Sequence, residues 1–210
     1  MRSSPVLAVI FLGQVLSAAT LDLSGLTNAQ IVNNLGSTAE VAITYKGYNS
    51  ADVLVNNYAQ GWTTGYSDLP NVLYGGNGIG SKVEIIFTPV AGVSVSINAF
   101  TVALYLPFFT NIGEGESHTV SVTGTSGPYF ADGELLTKSG TPGIKDKITY
   151  NPSVTGQPGE AMTIRLDPSW NTGIGEIVFE LSGSPVPEPG TFAMLGTVAL
   201  LAAFKLRRRS

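Results

Sequence analysis

The stretch Lys82–Leu104, KVEIIFTPVAGVSVSINAFTVAL, decides the fold. Val83, Ile85 and Phe87 recur at every second position from Lys82 to Phe87, the period of a strand that buries one face. Val93, Val95 and Ile97 then alternate with Ser94, Ser96 and Asn98. Phe100, Val102 and Leu104 continue on the opposite parity, so a phase flip near Ala99 predicts a bulge or a strand that crosses between sheets. Neither segment has the 3.6-residue period of a helix.

The same alternation extends outward. Val120 and Val122 face away from Thr119 and Ser121. Met162, Ile164 and Leu166 face away from Thr163, Arg165 and Asp167, and Ile177, Phe179 and Leu181 away from Glu176, Val178 and Glu180. Val41–Tyr45, Val53–Asn57, Gly133–Thr137 and Lys147–Tyr150 are shorter strand candidates. Together these predict eight or nine strands broken by turns rich in Gly, Pro and Asn, in a chain holding 25 Gly and 12 Pro. One wet and one dry face per strand is the mark of antiparallel sheets. The expected architecture is mainly β: an antiparallel two-sheet β-sandwich, jelly-roll-like. Leu23, Leu26, Ile31 and Leu35 have helix-compatible spacing behind Thr27-Asn28-Ala29-Gln30, so Leu21–Leu35 is expected to be a short helix or an irregular lead-in.

The two ends have a different composition. Arg2 precedes an apolar run from Val6 to Leu16, and Ser17-Ala18-Ala19 supplies small residues after it. This is the tripartite pattern of a secretory signal peptide, with cleavage expected after Ala19. At the other end, Val186-Pro187-Glu188-Pro189 is followed by an apolar run from Phe192 to Phe204 and by Lys205, Arg207, Arg208 and Arg209. As a single hydrophobic helix, Thr191–Leu206 would reach roughly 24 Å, slightly short of a bilayer core of about 30 Å. Its terminal arginines would stay cytoplasmic. The expected division is 1–19 signal peptide, 20–185 sandwich domain and 186–210 sorting and anchor segment.

The C-terminal segment resembles the PEP-CTERM sorting signal of exported bacterial proteins, on Val186, Pro187, Glu188 and Pro189, the apolar run, and Arg207, Arg208 and Arg209. The resemblance implies recognition by exosortase, processing near Pro187–Pro189 and an association with extracellular polysaccharide. With the N-terminal signal it implies the Sec export machinery and signal peptidase as partners. It also implies a transient stay in the bacterial inner membrane before the cell surface or extracellular matrix. The strand pair in Ser81–Leu106 and the closing stretch Gly156–Leu181 further resemble galactose-binding-like jelly rolls.

Charge narrows the function classes. Between Thr20 and Pro185 six basic residues face fourteen acidic ones, a net charge of −8. Such a body has no electrostatic footprint for nucleic acid. The chain has no Cys, which excludes disulfides, thiolate catalysis and Cys-ligated metals. A lone histidine, His118, cannot form a two-His metal site, and neither a G-x-S-x-G elbow nor H-E-x-x-H occurs. Gly75-Gly76-Asn77-Gly78-Ile79-Gly80 precedes a strand and opens no helix, so it reads as a turn and not a nucleotide loop. Glu114 with Glu116 and Asp132 with Glu134 read first as solvated loop charge. Ca²⁺ coordination and a catalytic acid pair are the alternatives. No catalytic residue, metal site or cofactor is expected, with Ca²⁺ the one cofactor left open.

Tyr45–Tyr74 is the stretch best suited to binding. It holds five of the eight tyrosines and Trp62, interleaved with amides and Asp68. Aromatic faces stack on the C–H face of a sugar while amides and carboxylates bind its hydroxyls. Trp62, Tyr58, Tyr66, Asp68 and Asn71 are therefore candidate glycan-binding residues, with Trp170 from the loop before the last strand. Gln60–Asn71 is expected to be a long loop. The competing reading has these rings filling the sandwich core. A non-catalytic surface protein that binds polysaccharide, a purely structural secreted protein or adhesin, and a polysaccharide-acting enzyme remain as functions, ranked in that order.

Overall fold

The computed structural model describes residues 18–76, 78–141 and 143–183. The run Val6–Leu16, the expected C-terminal helix and the sorting residues Val186–Pro189 and Arg207–Arg209 lie outside the described residues. Among the described residues no helix is long and apolar enough to cross a membrane.

Fourteen strands and one 3₁₀ turn are described. In chain order they are β1 (Ala18–Thr20), β2 (Gln30–Val32), β3 (Val41–Tyr48), β4 (Leu54–Asn56), β5 (Ala59–Trp62), β6 (Val72–Tyr74), β7 (Lys82–Pro89) and β8 (Val93–Leu104). A 3₁₀ turn at Leu106–Phe108 precedes β9 (Gly115–Gly124), β10 (Gly127–Thr137), β11 (Lys147–Tyr150), β12 (Val154–Thr155), β13 (Met162–Asp167) and β14 (Thr172–Gly183). They form two antiparallel sheets. One runs β10-β9-β13-β7-β3-β4; the other runs β11-β8-β14-β6-β5-β2, with β1 also on β14 and β12 on β8.

Alternation places the core. Val83, Ile85 and Phe87 of β7 are buried while Lys82, Glu84 and Ile86 between them are partly wet. Register carries this across the sheet: Ile85 pairs with Tyr45 of β3 and with Ile164 of β13. Val95, Ile97, Phe100, Val102, Ile174 and Phe179 meet them from the other sheet in one apolar cluster, with the Phe87 and Phe179 rings 5.1 Å apart. Deleting a side chain of this kind typically costs about 3–5 kcal/mol.

The phase flip near Ala99 is a paired irregularity. β14 slips against β8 between Gly175 and Val178, then again between Val178 and Phe179, as Val178 meets Ala99 and Phe179 meets Ile97. Glu176, at φ +48°, is the extra residue on one strand and Asn98 on the other. The double slip lets both Ile97 and Phe100 face the core.

Leu21–Leu35 is irregular apart from β2 and contains no helix. Leu21, Leu23 and Leu26 are buried anchors, and the Leu26 side chain packs over Gly61 of β5. β1 spans Ala18–Thr20, so cleavage after Ala19 would leave only Thr20 of it, opposite Val178. The Leu21 N–H still donates to the Ile177 carbonyl at 2.8 Å.

Candidate aromatic binding cleft

The expected long loop Gln60–Asn71 is shorter than its composition suggested. Gln60–Trp62 belongs to β5, because Gln60, Gly61 and Trp62 pair with Tyr74, Leu73 and Val72 of β6. That register puts Trp62, Val72 and Tyr74 on the face of the sheet opposite Leu73, which points into the main core. A second small apolar cluster of Tyr66, Leu69, Val72 and Ala103 forms on this outer face, with Trp62 and Tyr105 packed against it.

The segment after β5 returns along the end of β8. Tyr66 bridges to Tyr105, Ser67 N–H donates to Leu104 O at 3.1 Å, and Leu106 N–H donates to Gly65 O at 2.7 Å. Gly65 makes this approach feasible. Its φ is +88°, and a Cβ there would sit 2.7 Å from Cε2 of Tyr105 and 3.0 Å from the Pro107 ring. Gly173 does the same from β14, where a Cβ would stand 2.9 Å from the Tyr66 ring.

The loop between β13 and β14 delivers Trp170. Ser169 is fully buried and holds this loop down: its N–H and hydroxyl both donate to the Ser81 carbonyl, at 2.6 and 3.1 Å, and its hydroxyl accepts from Gly75 N–H at 2.9 Å. The Tyr66 hydroxyl donates to the Trp170 carbonyl at 2.9 Å.

Trp62, Tyr66, Tyr74, Tyr105 and Trp170 thereby line one open cleft of about 170 Å³. Trp62 stands edge-on to Tyr74 (5.9 Å, 85°) and to Tyr105 (6.0 Å, 83°). Tyr66 tilts against Tyr105 at 5.0 Å, and Tyr74 meets Trp170 at 5.8 Å and 68°. No lining residue carries a formal charge. Burial, and then the neighbouring phenols, pushes the Tyr66 hydroxyl above its ordinary range; burial and Tyr105 do the same to Tyr74. The Tyr74 hydroxyl donates to Gln60 Oε1 at 2.6 Å, while Trp62 Nε1 is buried without a hydrogen-bond partner.

Of the expected glycan-binding residues, Trp62, Tyr66 and Trp170 meet in this cleft, and Tyr58, Asp68 and Asn71 do not line it. Asp68 is exposed and paired with Lys147 Nζ at 2.7 Å, which holds its carboxyl below the usual range. Asn71 lines a separate depression beside Pro70, Glu176 and Leu21. Tyr58 is half-buried just before β5. Tyr74 and Tyr105 are wall residues outside the expected set: Tyr74 closes the Tyr45–Tyr74 stretch, and Tyr105 lies beyond it. Their signal was positional, since Tyr105 follows directly on the longest apolar strand run.

Other chemistry-bearing side chains are engaged elsewhere. A larger hollow of about 430 Å³ lies along Thr119, Ser121, Asp132, Arg165 and Asp167. Its guanidinium is committed to Asp52 and, at 2.9 Å, to Glu84, and it stacks 5.1 Å over Tyr48. Glu114 accepts from the N–H groups of Thr110 and Asn111, and Glu116 from the Asn171 amide. Asp132 and Glu134 are exposed on β10. Among the described residues no group of three or more His, Asp or Glu side chains is placed to hold a metal ion. His118 is buried, its Nε2 2.8 Å from the Tyr150 hydroxyl.

Residues 185–209 match the model of the PEP-CTERM protein-sorting motif. That motif implies an exported protein targeted to exosortase. No curated protein matches the chain. Similar solved structures include a cyclase from Fischerella sp. TAU, at 14% identity and TM-score 0.32, covering 83% of this chain and 90% of that one. A family 35 carbohydrate binding module from Clostridium thermocellum is similar at 11% identity and TM-score 0.31, covering 67% and 98%. A CBM35 from Paenibacillus barcinonensis is similar at 10% identity and TM-score 0.31, covering 80% and 99%.

Proposed function

We propose that this chain is an exosortase-processed surface protein whose non-catalytic β-sandwich, jelly-roll-like in plan, binds extracellular polysaccharide through the aromatic cleft. The observation that carries the reading is the convergence of Trp62, Tyr105 and Trp170, from three distant segments, on one open and uncharged hollow. Rings left partly open at a concave site supply apolar area to a ligand at little conformational cost. A core-filling role would seal all five rings, yet Trp62, Tyr105 and Trp170 stay partly exposed.

The purely structural reading, an adhesin without a small ligand, takes second place on that exposure. A glycoside-cleaving role takes third, because such chemistry uses a pair of convergent carboxylates and none lines the cleft. Export through Sec, removal of the N-terminal segment by signal peptidase, and a membrane-anchored intermediate that exosortase releases to the surface complete the proposal. Glycan-array binding by the full chain, with and without Ca²⁺, tests it. The wild type retains a polysaccharide that Trp62→Ala does not; a folded wild type that retains none refutes the binding role.

A further inference from the structure

The cleft has the shape of a box. Trp62 is nearly perpendicular to both Tyr74 and Tyr105, and Trp170 stands at 68° to Tyr74. A flat sugar face stacks on one broad open ring, whereas walls at right angles surround a compact, roughly spherical group. The hydrogen-bonding complement of the walls is also sparse. The hydroxyls of Tyr66 and Tyr74 already donate within the protein, to Trp170 O and Gln60 Oε1. The Trp62 indole N–H has no partner, and no carboxylate or amide lines the space.

A group suited to this box needs few hydrogen bonds and gains from aromatic faces. The faces of Trp and Tyr carry negative quadrupole potential and attract cations. A primary ammonium would lose hydration here and find only neutral phenol oxygens as acceptors, with no carboxylate among the lining residues. A quaternary ammonium has no N–H to satisfy, so it forfeits little. The charge of the domain points the same way, since six basic residues face fourteen acidic ones between Thr20 and Pro185. That net charge of −8 draws cations from a distance. The lysine beside this region, Lys147, is neutralised by Asp68.

We propose that the aromatic box binds a quaternary ammonium group, either on a free small molecule such as choline or as a substituent on a matrix polymer. This deepens the binding role proposed above and rests on the same cleft.

Intrinsic fluorescence reads the site directly, because both tryptophans of the chain, Trp62 and Trp170, line the box. The full chain, held in a polyoxyethylene detergent, is titrated with tetramethylammonium, choline and the uncharged choline isostere 3,3-dimethyl-1-butanol. Saturable spectral shifts are expected for both cations, with choline bound about tenfold more tightly than the isostere. Tyr105→Leu, which keeps apolar bulk and removes a π face, should weaken choline by a further several-fold at unchanged near-ultraviolet circular dichroism. Should Tyr105→Leu lose that signal, choline against isostere in the wild type decides alone. Equal affinity for choline and its isostere, or no shift with either cation, overturns the proposal. Competition arms separate the sources: choline that displaces a bound matrix polymer identifies a polymer-borne cation, and choline binding without polymer binding identifies a free molecule. A neutral polysaccharide that binds through Trp62 while choline neither binds nor competes overturns the cation reading and leaves the glycan reading standing.

Discussion

At Gly65 the backbone takes a left-handed φ of +88° in a place with no room for a Cβ. Gly65→Ala combines conformational strain with a clash against Tyr105, and each such cost is of order 1–3 kcal/mol. We expect thermal unfolding to shift down by several degrees and the cleft to lose ligand affinity even though no wall residue has changed. The tyrosine hydroxyls act at the same scale. Tyr66 reaches across from one wall to hold the Trp170 carbonyl, so its ring and its hydroxyl have separate tasks. Residues of this kind are hard to identify from sequence. Tyr66 stands out in sequence by its aromatic neighbourhood, while Tyr105 lies some thirty residues beyond that stretch. Its role depends on Tyr105 N–H meeting Asn171 O at 2.7 Å, a contact between residues 66 positions apart.

The loop that carries Trp170 is an element held by hydrogen bonds more than by apolar packing. Ser169 is its fastening, bonded to Ser81 O and to Gly75 N–H. Ser169→Ala leaves the Gly75 N–H without that acceptor in a buried place, which typically costs about 1–3 kcal/mol. The variant should fold, unfold at lower denaturant, and show faster amide exchange at Gly75 and around Trp170. The strands themselves were largely legible. β7, β8, β13 and β14 are long enough for period two to show, and even the slip near Ala99 left its mark as a change of parity. β2, β5 and β6 were not legible, because QIV, AQGW and VLY are too short for a period to show: AQGW alternates over only four residues and VLY is buried throughout. The helix-like spacing of Leu23 and Leu26 came from anchors in an irregular segment. Leu26 is fixed by the bare backbone of Gly61, a tertiary contact with no local signature.

For the molecule as a whole, stability against acid should be lost in two windows. His118 is 3% exposed, and burial holds its pKa down to about 4 from 6.5, against the opposing pull of Asp132. As pH falls below 6.5 the unfolded chain takes up a proton that the folded protein refuses until about 4, so stability declines across that interval. Glu160 is held at about 2, first by the Ser126 hydroxyl and then by backbone N–H groups of Ser126 and Gln157. Its contribution is present above 4.5 and fades as pH falls toward 2. Urea midpoints measured against pH should show both declines, and His118→Gln should remove the upper one alone. The sorting motif at residues 185–209 implies an exported protein. The binding role attached to it depends on the cleft. The most direct measurement is the affinity of the best-binding polysaccharide for the wild type, Trp170→Ala and Tyr58→Ala, all confirmed folded. Trp170→Ala should lose binding about tenfold or more, a loss of ~1.4 kcal/mol upward, while Tyr58→Ala, outside the cleft, should bind as the wild type does. Unchanged binding in Trp170→Ala, or loss in Tyr58→Ala instead, would contradict the account.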